Sequence, residues 1–526
     1  MKVIGLDFGT TNSTLSFYNE STQSIEAWKL GGSDGENYIP SCLTLEEDEI
    51  FIGSEARNML KNQHKHTYSN FKILLHETNK TKLADYNYTE KTPKEIAKLY
   101  IKTLIETYKK EQNINEIDSI VITVPEIWLN DDMLGRKAIN DIANELKLPL
   151  LQLISEPVAA GAYFLNNYKN KEQLSFNGHL LVFDYGGGTL DVTLLQASNQ
   201  EIKTLERTGK GNDKKLLGKA GVVYDKTVIE KLYKQTFNEE LKTNSPEYHE
   251  LLINFEREKI TNKKNIEKNI ARFEKNPTYN LEIFSLRCDK GKIIVKPSHL
   301  VEVFESLLKK DVLESLKEVE SYFRIYGINA ENPEKFRIVM VGGFSNFYLS
   351  KSSVMDFFKA VTDSDRRFET HFTQEDTTLA ISKGAALIAN KFVKLDETCP
   401  MTIGLVLNKI TSKGELEEIK DVVFRKGDNV ATHKIEYNDK KVQNTGKITL
   451  FIDNGQTNYK ITIDKNVDEI FPNFTQVANK WNIGFSIDAN SFFYLHIKDE
   501  SGKEIKTEIG NIIEQYKNCL IVEGSK

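Results

Sequence analysis

Two short segments of this 526-residue chain carry the residue types that hold phosphate. Ile4-Gly5-Leu6-Asp7-Phe8-Gly9-Thr10 is an apolar strand run, an aspartate, an aromatic residue, then glycine leading to threonine. Val182-Phe183-Asp184-Tyr185-Gly186, followed by Gly187-Gly188-Thr189, repeats that order far along the chain. Glycine after a strand end lets the backbone turn sharply and approach a ligand closely. The exposed N–H groups of such a turn hold phosphate oxygens. Hydroxyls at Thr10, Thr11 and Thr189 add donors, and Asp7 and Asp184 offer hard oxygen ligands to a divalent cation. Mg²⁺ suits them, because it takes few carboxylates and keeps waters and phosphate oxygens. Two facing hairpins of this kind would clamp a magnesium-bound nucleotide between two related lobes. Other nucleotide motifs fail: Gly218-Lys219 has Asp213 where a P-loop needs glycine and Ala220 where it needs Ser or Thr.

The elements that must position these hairpins are legible as three regimes. Residues 1 to about 225 alternate short apolar strands with helical patterns, the rhythm of an α/β domain. Val121-Ile122-Thr123-Val124 and Leu180-Leu181-Val182-Phe183 suit buried strands, and Arg136 to Leu148 has helical spacing. Residues 226 to 325 read as charged helices with a strand-rich interruption near 280 to 297. A further apolar strand, Arg337 to Val341, runs into Gly342-Gly343. From Pro400 the chain reads as short strands and tight turns. Lys447 to Asp453 and Asn458 to Asp464 alternate around the hairpin signal Asn454-Gly455, and Asn438-Asp439 and Ser501-Gly502 punctuate similar pairs.

Composition excludes several classes. Hydrophobic residues make up 39% and charged residues 28%, and the net charge is only −6, so nothing favours nucleic acid or membrane as a partner. The run Asn262-Lys263-Lys264-Asn265 reads as the wet face of a helix. The cysteines Cys42, Cys288, Cys399 and Cys519 are scattered with no CxxC pair, which points to neither a zinc site nor a disulfide framework. Asp7 interrupts any signal-like apolar run near the N-terminus, and a cytoplasmic location is expected.

These motifs carry a family resemblance. IGLDFGTTNS (Ile4 to Ser13) and VFDYGGGTLDV (Val182 to Val192) resemble the two phosphate signatures of Hsp70 chaperones. IVITVP (Ile120 to Pro125), ISEPVAA (Ile154 to Ala160), IVMVGG (Ile338 to Gly343), KGAA (Lys383 to Ala386) and FSIDAN (Phe485 to Asn490) with Lys498-Asp499 follow in the family's order. The resemblance implies a two-lobed, actin-like (ribonuclease H-like) ATPase domain at 1–391, with lobes at about 1–170 and 171–391. It further implies a linker at 392–398, an all-β sandwich substrate-binding domain at 399–510, and a short tail at 511–526. As helix that tail would span only ~24 Å, well short of the family's helical lid. ATP or ADP with Mg²⁺ would be the ligands, with extended or unfolded polypeptides, a J-domain co-chaperone and a nucleotide-exchange factor as partners.

Carried over by position, Asp7, Asp184 and Asp191 would serve the metal. Thr10, Thr11, Asn12, Gly186, Gly187 and Gly188 would contact phosphate, and Gly342, Gly343, Glu256 and Lys259 the nucleoside. Lys72 would approach the γ-phosphate and attacking water, which Glu156, Asp184 and Thr189 would help position or deprotonate. The pattern departs at Asn346, Thr378 and Lys263, where the family has an adenine-covering arginine, an aspartate and a serine, and base recognition is expected to be altered. Ala220-Gly221 replaces a Gly-Gly pair, the linker keeps only Val393 and Leu395 as aliphatics, and Gln152 replaces a J-domain-contacting arginine. Pro125 and Arg136 resemble an interdomain signalling pair. The alternative reading is an actin-like ATPase acting as a regulatory or scaffold protein with one dedicated partner; a small-molecule kinase fits the β-rich tail poorly.

Overall fold

The computed structural model describes residues 2–522 apart from 48, 63–65, 76, 131–133, 212–217, 361–364, 369–373, 397, 411–413, 430–435, 444–446, 454–459, 472–479, 499–501 and 511–520. The chain divides into two compact units: Met1–Ile127 with Ala138–Lys394, and Trp128–Lys137 with Leu395–Lys526. The unit boundary at Lys394 falls inside the stretch expected to be a linker. Lys394 itself is tied back, its N–H donating to the Gln200 carbonyl at 2.9 Å. No helix among the described residues is long and apolar enough to cross a membrane.

The first unit contains two mixed sheets built on one plan. Strand Val3–Asp7 pairs antiparallel with Asn12–Asn19 and parallel with Ser119–Val124, which pairs parallel with Leu150–Ser155. Strand Gly178–Tyr185 likewise pairs antiparallel with Leu190–Ser198 and parallel with Phe336–Val341. Both aspartate-bearing strands are therefore central. Central strands are covered on both faces and so read as unbroken apolar runs; every residue of Val3–Asp7 is buried.

Helices lock these sheets through residues small enough to allow contact. Helix Gln374–Ala389 lies against strand Val3–Asp7 so closely that a Cβ at Gly5 would sit 2.4 Å from the Ala386 nitrogen. On its other side a Cβ at Gly384 would sit 1.8 Å from the Ala159 carbonyl oxygen in helix Glu156–Glu172. Ser382 also shares a 2.8 Å hydrogen bond with Ser16. Glycine and serine let these backbones meet where larger side chains would hold them apart.

The second unit is antiparallel throughout. One sheet orders Leu416–Phe424, Thr402–Ile410, Lys447–Asp453, Lys460–Asn466 and Ile521–Val522; the other orders Glu436–Gln443, Lys480–Ile487, Phe493–Lys498 and Glu504–Glu508. Phe424 of the first meets Phe493 of the second, ring centroids 5.8 Å apart. Ser486, His496 and Glu504 form a hydrogen-bonded ladder (2.7 and 2.6 Å) across three adjacent strands. Within this unit Arg136 Nε donates to the Asn490 carbonyl at 2.7 Å.

Two sequence expectations change here. Asn438-Asp439 is no turn: it lies inside Glu436–Gln443, where the pairing shifts register between Tyr437 and Lys441. The extra residues are absorbed as an irregularity in the ladder rather than by reversing the chain. Ile521–Val522, expected in a separate tail, pairs with Ile461 and Thr462. The Asn454-Gly455 turn, Ser501, Asp499, Cys519 and the remainder of 511–526 lie outside the described residues. Among the described residues Cys42 and Cys288 are free thiols, and the Cys399 thiol donates to the Met401 carbonyl at 3.0 Å.

Candidate functional site

The two hairpins meet. A Cβ at Gly187 would lie 2.1 Å from Thr11 Oγ1, and one at Gly188 would lie 2.4 Å from Thr10 Oγ1. Only glycine leaves room for both threonines, which is why this pairing of residue types recurs at the contact. The glycine turn is braced from behind: Gly186 N–H donates to the Thr189 carbonyl, and the helix Gly221–Phe237 spends its first amides on it, Gly221 N–H to Gly186 O and Val222 N–H to Gly187 O. Helix N-termini have such amides to spare.

These turns open into a cavity of about 840 Å³. Asp7, Thr10, Thr11, Asn12, Lys72, Glu156, Asp184, Gly186, Gly187, Gly188, Thr189, Glu256, Lys259, Gly342 and Gly343 all line it. Asp191 does not. It sits behind Asp184, its register partner on the neighbouring strand, with Oδ1 accepting the Ile127 N–H at 2.8 Å. Gly342 ends strand Phe336–Val341 at φ +84°, a conformation that favours glycine, and a Cβ there would press 2.6 Å from Asp184 Oδ1.

The cavity floor is anionic. Lys72 is only 2% exposed and donates from Nζ to Glu156 Oε1 at 2.5 Å. Glu156 opens its helix beside Pro157, behind the capping hydroxyl of Ser155, a position that favours an acid. Phe8 stacks on Phe71, centroids 5.8 Å apart, and walls in the Lys72 ammonium. Around this one lysine stand Asp7, Asp184 and Glu156, with Asp191 behind Asp184. Burial, then Glu156, pushes the Asp7 carboxyl up to about 7, against Lys72 and the Thr123 hydroxyl that donates to it at 3.1 Å. Burial, then Glu156, Asp191 and Asp7, raises Asp184 well above the carboxylate range, and burial, then Glu156, raises Asp191.

Such a cluster fits a divalent cation. The buried oxygens Asp184 Oδ2 and Asp191 Oδ2 have no hydrogen-bond partner, and each such atom is costly to leave unsatisfied. Among the described residues no three His, Cys, Asp or Glu side chains close into a metal cage. A cation held here would draw the rest of its shell from phosphate and water, as Mg²⁺ does. Magnesium binding should therefore displace protons from these raised carboxyls, Asp7 contributing only below about pH 7. Calorimetry at pH 6 and pH 8.5, in buffers of different ionisation enthalpy, checks this: greater proton release at pH 6 than at pH 8.5 is expected.

A family model described as Hsp70 protein matches residues 3–510. The chain belongs to the Hsp70 family. It is similar to the chaperone protein DnaK of Metamycoplasma hominis, 24% identical over 518 residues, covering 96% of this chain and 78% of that protein. It is 31% identical over 207 residues to DnaK of Mycoplasmopsis agalactiae and 29% over 208 residues to that of Mycoplasma mobile. Each of those two matches spans 32% of the relative, so the chain covers about a third of their length.

In this Hsp70 chain the end of the cavity lined by Glu256, Lys259, Gly342 and Gly343 holds residues that the motifs did not single out. Asp225 lines it and takes Lys259 Nζ on both oxygens, at 2.6 and 2.7 Å. Burial lifts Asp225 to about 6 in spite of Lys259. Arg57 also lines the cavity and pairs with Glu256. Phe344 stacks on Phe347 (5.3 Å) and lies beneath the Lys259 ammonium (5.3 Å). Lys263, expected on a wet helix face, lines the cavity instead, as do Asn346 and Thr378. Asp225 directly follows Val222-Val223-Tyr224 after Ala220-Gly221, so its signal lay in a motif noticed only for departing from the family. Nothing local marks Arg57, which reaches the site from the helix Gly53–Met59.

Proposed function

We propose that this chain is an ATP-hydrolysing Hsp70 chaperone that couples ATP binding and turnover to binding of unfolded or extended polypeptide. Residues 1–391 form a two-lobed, actin-like ATPase, 392–398 a linker and 399–510 a β-sandwich that takes the peptide. The observation that carries this reading is the contact of Gly187 and Gly188 with Thr11 and Thr10 above the Asp7 and Asp184 carboxylates, all lining one cavity. Thr10, Thr11, Asn12 and the amides of Gly186 to Gly188 hold the phosphates. Asp7 and Asp184, supported by Asp191, hold Mg²⁺, which neutralises phosphate charge when bound. Lys72 stabilises negative charge developing on the transferred phosphoryl group, and Glu156, Asp184 and Thr189 orient the attacking water or accept its proton. Peptide bound by the β module adds backbone hydrogen bonds and buries side chains. Coupling between nucleotide and peptide is reciprocal. A J-domain protein and an exchange factor are the co-chaperones this reading implies, and the cytoplasm its compartment.

Two measurements test it. Peptide-stimulated ATPase with a panel of unrelated unfolded peptides is expected to rise for several of them. A response to a single native partner would instead favour a dedicated scaffold. Base selectivity should be loose, because Asn346 replaces the family's arginine and gives its amide to Thr377 Oγ1 (3.1 Å). Sites that hydrogen-bond a distinguishing group reject analogues by about 10⁴-fold or more, whereas apolar pockets manage roughly 10–200-fold. An ATP-over-GTP preference in the lower range is expected by calorimetry. Tight, ATP-only binding would refute it.

A further inference from the structure

Just behind the metal carboxylates lies a buried ion pair with no part in the chemistry described so far. Glu126 follows strand Ser119–Val124 by two residues and is 1% exposed. Its Oε1 accepts Arg207 Nη1 at 2.7 Å, and the Arg207 side chain is itself 8% exposed. Arg207 stands on strand Glu201–Lys210, next to the strand of Asp191: Thr193 faces Arg207 and Asp191 faces Gly209. The residue after Glu126 is Ile127, whose N–H donates to Asp191 Oδ1. One short stretch of backbone is thus held at two successive points, by Arg207 through a side chain and by Asp191 through an amide.

We infer that Glu126 and Arg207 are positioning residues for the metal shell: the ion pair fixes the 126–127 peptide so that its N–H occupies Asp191 Oδ1 and leaves Oδ2 directed to the cation side. This rests on the reading of Asp184 and Asp191 as serving Mg²⁺. Its physical basis is that a buried pair is geometrically exacting and adds little net stability. Both charges survive burial only while they face each other, so the peptide carrying Glu126 has one allowed place. Among the described residues Glu126 Oε2 and Arg207 Nε have no hydrogen-bond partner, so no second bond through these atoms holds the pair elsewhere. Groups that orient a metal ligand from behind matter to affinity: their loss typically weakens metal binding by roughly 10–100-fold.

Removing one partner alone would strand a buried charge and risk unfolding, so the decisive variant is the double Glu126→Leu/Arg207→Met, which replaces both charges with apolar groups. Two readouts are taken on the full-length chain. In hydrogen exchange without metal or nucleotide, the Ile127 amide is expected to lose protection about tenfold or more, with global Tm near that of the parent. In titration of a fluorescent ADP analogue against Mg²⁺, half-saturating magnesium is expected to rise roughly 10–100-fold. Charge reversal, Glu126→Arg/Arg207→Glu, should restore much of both. Unchanged Ile127 protection in the double variant overturns the inference whatever the nucleotide result. A parent protein that shows a protected Ile127 amide but no magnesium-dependent nucleotide binding leaves the pair's geometry intact and defeats the functional reading instead.

Discussion

Lys72→Met is expected to slow ATP hydrolysis by roughly 10²–10³-fold, the usual cost of one preorganised group facing developing charge, while nucleotide affinity changes only a few-fold. The lysine is buried, sits on the cavity wall and is bonded to Glu156. Its loss has a second effect that must be separated from the first. Glu156 would remain buried opposite no cation, and breaking such a pair costs about 3–5 kcal/mol. The double variant Lys72→Met/Glu156→Gln should recover most of that stability without recovering turnover. Single-turnover hydrolysis, nucleotide titration and thermal melting, run on both variants, distinguish the outcomes. Turnover that survives in Lys72→Met would remove the lysine from the mechanism.

Asp184→Asn should move stability and binding in opposite directions. In the metal-free protein Asp184 is surrounded by burial and three other carboxylates, which raise its pKa. A raised folded-state pKa means that folding favours the protonated form, so stability is fullest below the unfolded pKa and declines as pH climbs through the folded one. The asparagine variant carries no such loss. With EDTA at pH 8 it should melt above the parent, and its Tm should vary less between pH 5 and 8. Added magnesium and nucleotide should raise the parent's Tm by linkage and leave the variant nearly unmoved. A variant that gains Tm from Mg-ATP as the parent does would show that Asp184 holds no metal.

The parts of this molecule that were legible in advance share one property: their chemistry depends on neighbours in sequence. The Asp-aromatic-Gly-Thr pattern is local because a strand end and a tight turn are local, and both copies line the cavity. The buried apolar runs at Ser119–Val124 and Gly178–Tyr185 are strands for the same reason. What escaped reading depends on distant partners. Lys72 is named in the sequence only by the family resemblance, since what sets it apart is its enclosure by Phe8, Phe71 and Glu156. Arg57 meets Glu256 and Glu126 meets Arg207 across long sequence separations that no spacing rule captures. Asn438-Asp439 shows the converse failure, since good turn formers were carried into an edge strand whose pairing with Lys480–Ile487 tolerates a shift of register.

The seam in which Gly5 meets Ala386 has a consequence for how the protein comes into being. Strand Val3–Asp7 is made well before helix Gln374–Ala389, the element that must lie on it, with most of the unit between them. At a synthesis rate of about 5–20 residues per second, that strand waits roughly 20–80 s for its partner. Throughout that interval the growing chain presents an apolar, glycine-pocked face with nothing to cover it, and assembly of the nucleotide cavity is deferred until translation has passed residue 389.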